Sequence, residues 1–235
     1  MSHTTRFSHA IALALLTFTA ACSSSEPTGT GTSAGTSANS IATPPTGDTS
    51  TAGAAESPAA EPEVATPGAL APNFSLASHT GATHALADFR GKPVVLEWTN
   101  YDCPVVRGKY ESGEMQALQR SAVERGAVWL SICSSGPSKQ GHMDTATAAR
   151  RFGEENAGAT ALLLDADGTV GRRYEAQTTP HMFVIDAAGT LVYAGAIDDQ
   201  KGTNHVATTL DALFAGQSVE PRSTKPYGCS VKYAN

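Results

Sequence analysis

The chain has 235 residues, a formal net charge of −6, 40% hydrophobic and 16% charged residues, and four cysteines. That length accommodates one folded domain with an unstructured extension, or two small domains. Residues 23–67 are almost entirely Ser, Thr, Gly, Ala, Pro and Glu without an aromatic residue, so they cannot bury enough apolar surface to offset the entropy of ordering. Five acids (Glu26, Asp48, Glu56, Glu61, Glu63) and no Lys or Arg lie in that stretch, which leaves the rest near neutral and without the basic clusters that a nucleic-acid partner needs.

In chain order, the first 21 residues carry one base, Arg6, then an apolar run from Ala10 to Leu16, then small residues up to Cys22. This is the layout of a secretory signal, and the run is too short to span a bilayer. Thr19-Ala20-Ala21-Cys22 resembles a bacterial lipobox, with Thr19 where Leu is usual. The expected organisation is a signal peptide over 1–21, a lipidated Cys22 opening a disordered linker over 22–67, a folded domain over 68–217, and a tail over 218–235 that contains Cys229. A Gly/Ser/Thr-rich coil of that length spans roughly 35–40 Å, enough to hold a domain clear of lipid head groups. The expected location is the bacterial cell envelope, anchored to a membrane and facing the periplasm or exterior.

From Pro72 onward strands and helices alternate, as in an α/β fold with a parallel-containing sheet. Phe74–Ala77 and His84–Leu86 form a short hairpin about Thr80-Gly81. Pro93–Thr99 is an apolar run broken only by Glu97, the pattern of a strand buried on both faces. Cys103-Pro104 opens one helical segment running to about Arg125 and stopping at Gly126. Ala127–Cys133 is a second buried strand, Asp144–Glu155 a helix, Ala161–Leu164 a strand and Val170–Tyr174 a helical turn. Met182–Ile185 and Leu191–Ala194 are strands, and His205–Phe214 is the last helix.

Cys103 lies just past a buried strand, in the first turn of a helix, where unpaired N–H groups and the helix dipole favour an anion. Thiols in such places become nucleophilic thiolates near neutral pH. Arg107, four residues on, adds positive charge on the same face, and Asp102 opposes it. The ordinary alternative is a small buried hydrophobe, the usual role of a free Cys. With Cys22 assigned to the anchor, Cys103, Cys133 and Cys229 remain; three is odd, and export places them where disulfides persist, which suits a redox site better than a disulfide scaffold.

Further motifs carry a resemblance. Gly91–Leu96, Asn100-Tyr101-Asp102-Cys103-Pro104, Asp165-Ala166-Asp167-Gly168, Thr178-Thr179-Pro180-His181 and Tyr193–Asp199 resemble the redoxin group, which includes peroxiredoxins of the alkyl hydroperoxide reductase/thiol-specific antioxidant type and thioredoxin-like lipoproteins. The resemblance covers about 70 to 200. It implies an α/β thioredoxin-like fold, a central mixed sheet flanked by helices, with a cis Thr179–Pro180 bond packed against the active Cys103. It also implies a thiol oxidoreductase that takes a peroxide, or a protein or small-molecule disulfide, as substrate, and an external thiol as reductant, with no cofactor and no metal. Glu97, six residues before Cys103, stands where thioredoxins keep a buried carboxylate that assists proton transfer; burial would raise its pKa towards the useful range, whereas at a sheet edge it would simply meet water.

The departures are specific. Val106 replaces the second cysteine of a thioredoxin motif, so a local dithiol is absent. Asn100 replaces the Thr that peroxiredoxins use to hold peroxide, and Pro180-His181 replaces their Arg-containing segment. His181 could approach the sulfur, although a lone histidine there is more often a satisfied polar residue. The rival reading is a non-catalytic thioredoxin-fold binding module or a copper carrier; copper-delivering relatives place a second cysteine where this chain has Thr99, so a soft two-thiolate site is not available locally. Asp165–Gly168 begins like a calcium loop without the remaining ligands, and reads as a turn. The resolving thiol is expected to be Cys229, in an extended Pro/Gly-containing tail that can swing, with Cys133 as the alternative at the carboxyl end of a parallel strand.

Overall fold

The computed structural model describes residues 64–235, so Cys22 and the expected signal segment lie outside it. Among the described residues nine strands and five α-helices follow one another: β1 Ser75–Ser78, β2 Thr83–Ala85, β3 Val94–Trp98, α1 Pro104–Glu111, α2 Glu114–Glu124, β4 Val128–Cys133, α3 Thr145–Glu154, β5 Ala161–Leu164, α4 Thr169–Arg173, β6 Thr178–Thr179, β7 His181–Ile185, β8 Leu191–Gly195, α5 His205–Phe214 and β9 Cys229–Ser230. Seven strands form one sheet in the order β2-β1-β5-β4-β3-β7-β8, and β6 pairs with β9 in a separate ribbon. Strands β3, β4 and β5 are mutually parallel, while β7, β8, β1 and β2 pair antiparallel. This is the α/β thioredoxin-like fold with a central mixed sheet.

Alternation along β3 assigns its residues to two cores. Val95 packs with Trp129, Met182 and Val184, under Val106 and Tyr110 of α1, Met115 and Ala122 of α2, Ala148 of α3 and Val206 and Leu210 of α5. Val94, Leu96 and Trp98 face the opposite side, with Phe74, Leu86, Val170 and Tyr174. Because β3 lies between β4 and β7, both of its faces are covered, which is why its sequence is a nearly unbroken apolar run.

The expected continuous helix from Cys103 to Arg125 is two helices. Gly113 adopts φ +77°, the left-handed conformation that glycine enters without a Cβ penalty, and turns the chain between α1 and α2. The helix formers after Ser112 obscured this break, since a single glycine is tolerated inside helical patterns. Elsewhere the boundaries agree to within one or two residues, with Asp144 capping α3 through the Thr147 amide.

The tail is extended but tied at both ends. Thr224 and Arg222 exchange backbone hydrogen bonds with Ala194 on β8. Further on, Val231 donates to the Gln177 carbonyl, the Gly136 amide to Lys232, the Tyr233 hydroxyl to Ala176, and Arg172 to the Ala234 carbonyl. Between these anchors residues 225–230 form a strap, whose Cys229 and Ser230 pair with Thr179 and Thr178 of β6.

Candidate functional site

Cys103 is the residue immediately before α1, with extended backbone and Pro104 in the first helical position. Its amide donates to the Asn100 carbonyl, closing the turn that brings the sulfur from β3 to the helix N-terminus. Its side chain is 0% exposed. In the thiol form Sγ donates to the Thr179 carbonyl at 3.1 Å. The Thr179–Pro180 bond is cis, as the resemblance implied.

The ribbon β6–β9 brings the second thiol. Thr179 is paired in register with Cys229, and Thr178 with Ser230. Gly228 makes the approach possible: at φ +134°, a Cβ built there would lie 2.2 Å from the Thr179 carbonyl oxygen. The Cys229 side chain packs against the same core cluster as Cys103, and both thiols are free. Burial opposes ionisation of Cys103, but the Cys229 thiol, the Val106 amide and the Cys229 amide outweigh it, so the Cys103 pKa falls below that of an ordinary thiol. The Cys229 pKa rises, chiefly because its S–H is held by the Cys103 sulfur. The two shifts are opposite, favouring the charged form at Cys103 and the thiol at Cys229.

Cys133 behaves differently. Its Sγ donates to the Gly141 carbonyl at 3.3 Å, and burial pushes its pKa up. Asn100 is also engaged with that loop: its Nδ2 donates to the Gln140 carbonyl at 3.2 Å and its Oδ1 accepts from the Asp102 amide at 2.9 Å. The Asn100 amide thus shapes the turn before Cys103, with its hydrogen-bonding capacity directed at backbone.

Glu97 is 0% exposed and on the Cys103 side of the sheet, beneath α1 and α2. The sheet-edge alternative does not hold, because β3 is interior. Its carboxyl accepts from Trp129 Nε1 at 2.9 Å, Ser131 Oγ at 2.9 Å and Gln119 Nε2 at 3.0 Å, while Gln119 also donates to the Tyr110 hydroxyl. Desolvation raises the Glu97 pKa even though these donors pull it down. The result is a buried acid on β3 held in one position by donors from β4 and α2.

His181 points the other way. From β7 it opposes Trp98 of β3, lies tilted against Phe183 with ring centroids 4.4 Å apart, and accepts from the Gln177 amide through Nδ1. Alternation along β7 puts Met182 on the Cys103 face and His181 with the aromatic cluster behind the sheet. Burial lowers the His181 pKa to about 4, so it stays neutral. Arg107 is turned to Glu111 at 3.7 Å on the exposed face of α1. Asp165 is a buried cap: it accepts from Ser134 Oγ and from the Val170 and Gly171 amides at the start of α4. Among the described residues no group of three or more His, Cys, Asp or Glu is arranged to hold a metal ion.

Three further residues, Tyr227, Asp198 and Lys109, join beside the tail. The Tyr227 hydroxyl donates to Asp198 Oδ1 at 2.7 Å, and Lys109 Nζ of α1 bridges Asp198 and Glu114. Tyr-Gly-Cys in the tail was visible; its acceptor, 29 residues earlier, had no local signal.

A family model described as the AhpC/TSA family matches residues 67–194. No curated protein matches the chain. Among solved structures, an uncharacterized conserved protein from Geobacillus kaustophilus is similar with a TM-score of 0.66 at 24% identity, covering 76% of this chain and 98% of that one. A hypothetical protein from Sinorhizobium meliloti 1021 gives 0.63 at 23%, covering 72% and 95%. A putative protein disulfide isomerase from Bacteroides thetaiotaomicron gives 0.51 at 16%, covering 65% and 92%. These likenesses establish the thioredoxin-like fold.

Proposed function

Since the chain belongs to the AhpC/TSA family, whose members are redoxins, we propose that it is a two-cysteine thiol oxidoreductase with Cys103 as the nucleophile and Cys229 as the resolving thiol. The observation that carries this reading is the apposition of the two thiols through the β6–β9 ribbon, with opposite shifts of their ionisation. A peroxide gives up one oxygen to the Cys103 thiolate, leaving an alcohol or water and a sulfenic acid, which Cys229 converts to a disulfide with loss of water. A disulfide substrate instead forms a mixed disulfide with Cys103 and releases one thiolate; Cys229 then displaces the second. Both routes end with the same Cys103–Cys229 bond, which an external thiol reduces. Glu97 takes up or releases the accompanying proton, and Thr179 and Pro180 hold the backbone against the sulfur. Asn100 supports the turn.

The N-terminal pattern of Arg6, an apolar run and Cys22 supports an exported, lipid-anchored protein of the bacterial envelope. That part of the proposal rests on sequence, and acyl groups on Cys22 of the mature chain would test it.

The activity is tested with reduced protein presented separately with hydrogen peroxide and with a model disulfide. Consumption of either, lost in Cys103→Ser with folding retained, is the expected result. Full activity in that variant would contradict the assignment.

A further inference from the structure

The cover over Cys103 is a strand of this chain. In the reduced protein Cys103 has no exposed surface, and Tyr227 and Cys229 of the strap at 225–230 pack against its cluster. Its Cys229 and Ser230 lie in register on Thr179 and Thr178 of β6, and the Cys229 thiol and amide reach the Cys103 sulfur. It is anchored at both flanks, by Arg222 and Thr224 on one side and by Val231 to Ala234 on the other, so its middle can lift without the tail leaving the domain.

Three features of the middle are those of a recognised ligand. Main-chain pairing along β6 accepts any extended peptide. Gly228 is required where the strand passes 2.2 Å, at a notional Cβ, from the Thr179 oxygen. Tyr227 closes one wall of a groove of about 300 Å³ alongside Pro104, Val105, Gly108, Lys109 and Gln200, and its hydroxyl reads Asp198. Asp198 is itself held by Lys109.

We infer that the strap is a resident stand-in for the redox partner, and that the surface formed by the β6 edge and the Asp198–Lys109 groove receives an extended polypeptide segment with an aromatic hydroxyl, a small residue and a disulfide-bonded cysteine in succession. This deepens the function proposed above and rests on Cys103 as the nucleophile. A peroxide makes no use of a strand edge, so the inference selects a protein disulfide as substrate. The partner strand replaces residues 227–230, and the Cys103 thiolate attacks the partner sulfur; the other partner sulfur leaves as thiolate and takes a proton. On re-closure Cys229 loses its proton and attacks the Cys103 sulfur, expelling the first partner sulfur as thiolate. The partner disulfide has become two thiols and the chain's two thiols one disulfide. An external dithiol returns the pair.

The test uses the reduced full chain and a synthetic peptide Pro-Tyr-Gly-Cys-Ser-Val whose cysteine is joined to 2-nitro-5-thiobenzoate, with release of the coloured thiolate as the readout. A second peptide has Ala for Tyr. The Tyr peptide is expected to react roughly tenfold faster, the effect of one hydrogen bond to a charged carboxylate. Tyr227→Phe, which unlatches the strap, is expected to raise the Tyr-peptide rate by roughly tenfold, whereas Asp198→Asn removes the preference between peptides. Equal rates for the two peptides with the unsubstituted protein overturn the inference alone. Release that persists in Cys103→Ser overturns the proposed function, and the inference with it.

Discussion

Cys103 follows the interior strand β3 and Cys133 ends the interior strand β4, and both are buried on the same side of the sheet, yet their pKa values move in opposite directions. The Cys133 sulfur meets a carbonyl, Gly141, and desolvation of its charged form outweighs the hydrogen bonds that Ser135 offers it, so its pKa rises. The Cys103 sulfur also meets a carbonyl, Thr179, but it has the first turn of α1 and the Cys229 thiol and amide as donors as well. Burial is common to both. The balance between burial and the donors aimed at each sulfur decides which way its pKa moves.

The largest expected effect separates the two directly. Cys229→Ala leaves the first reaction of Cys103 intact but stops turnover at the mixed disulfide or sulfenic acid, visible by intact mass. Cys133→Ala is expected to keep turnover within about twofold and to cost about 1–2 kcal/mol of stability in denaturant titration, the order for a modest cavity in a core. Reversed outcomes would make Cys133 the working partner.

A smaller effect concerns Glu97, which lies between the two cysteine environments on the same face. Its folded pKa is raised above the unfolded value near 4.5, so the stability attached to its proton is fully present below that value and is lost as pH rises through the folded pKa. Glu97→Gln, which has no charge to bury, is therefore expected to gain stability relative to the parent chain as pH rises from 4.5. Denaturant midpoints measured across pH check this, and a parallel pair of curves would contradict it. The same substitution should flatten the pH dependence of Cys103 reactivity.

The smallest effect is at Arg107. Its guanidinium is exposed and turned to Glu111 at 3.7 Å, so Arg107→Ala is expected to change the Cys103 alkylation rate by less than about twofold. A larger fall would restore the helical-neighbour argument made from sequence spacing.

Those spacing arguments succeeded where the interaction is local. The order of strands and helices, the cysteine at a helix start, and the buried acid six residues before it all follow from short-range pattern. Contacts that cross the chain did not. The donors to Glu97 come from Gln119, Trp129 and Ser131, which lie 22 to 34 residues away and read as ordinary helix or strand positions. The strands β6 and β9 have two residues each, too few to leave an alternating signature. The tail consequently looked free to swing, while it is paired with Thr178-Thr179 and latched through Tyr227. His181 shows the converse limit: adjacency in sequence to Pro180 suggested proximity to the sulfur, and strand alternation turned it to the other face.

Peptide mapping of the protein after one oxidative turnover, with free thiols alkylated beforehand, tests the pairing of Cys103 with Cys229 most directly. The account requires a peptide containing both residues joined by a disulfide, with Cys133 alkylated on unfolding. A Cys103–Cys133 link, or Cys229 still alkylatable while Cys103 is oxidised, would contradict it and leave the tail a structural strap.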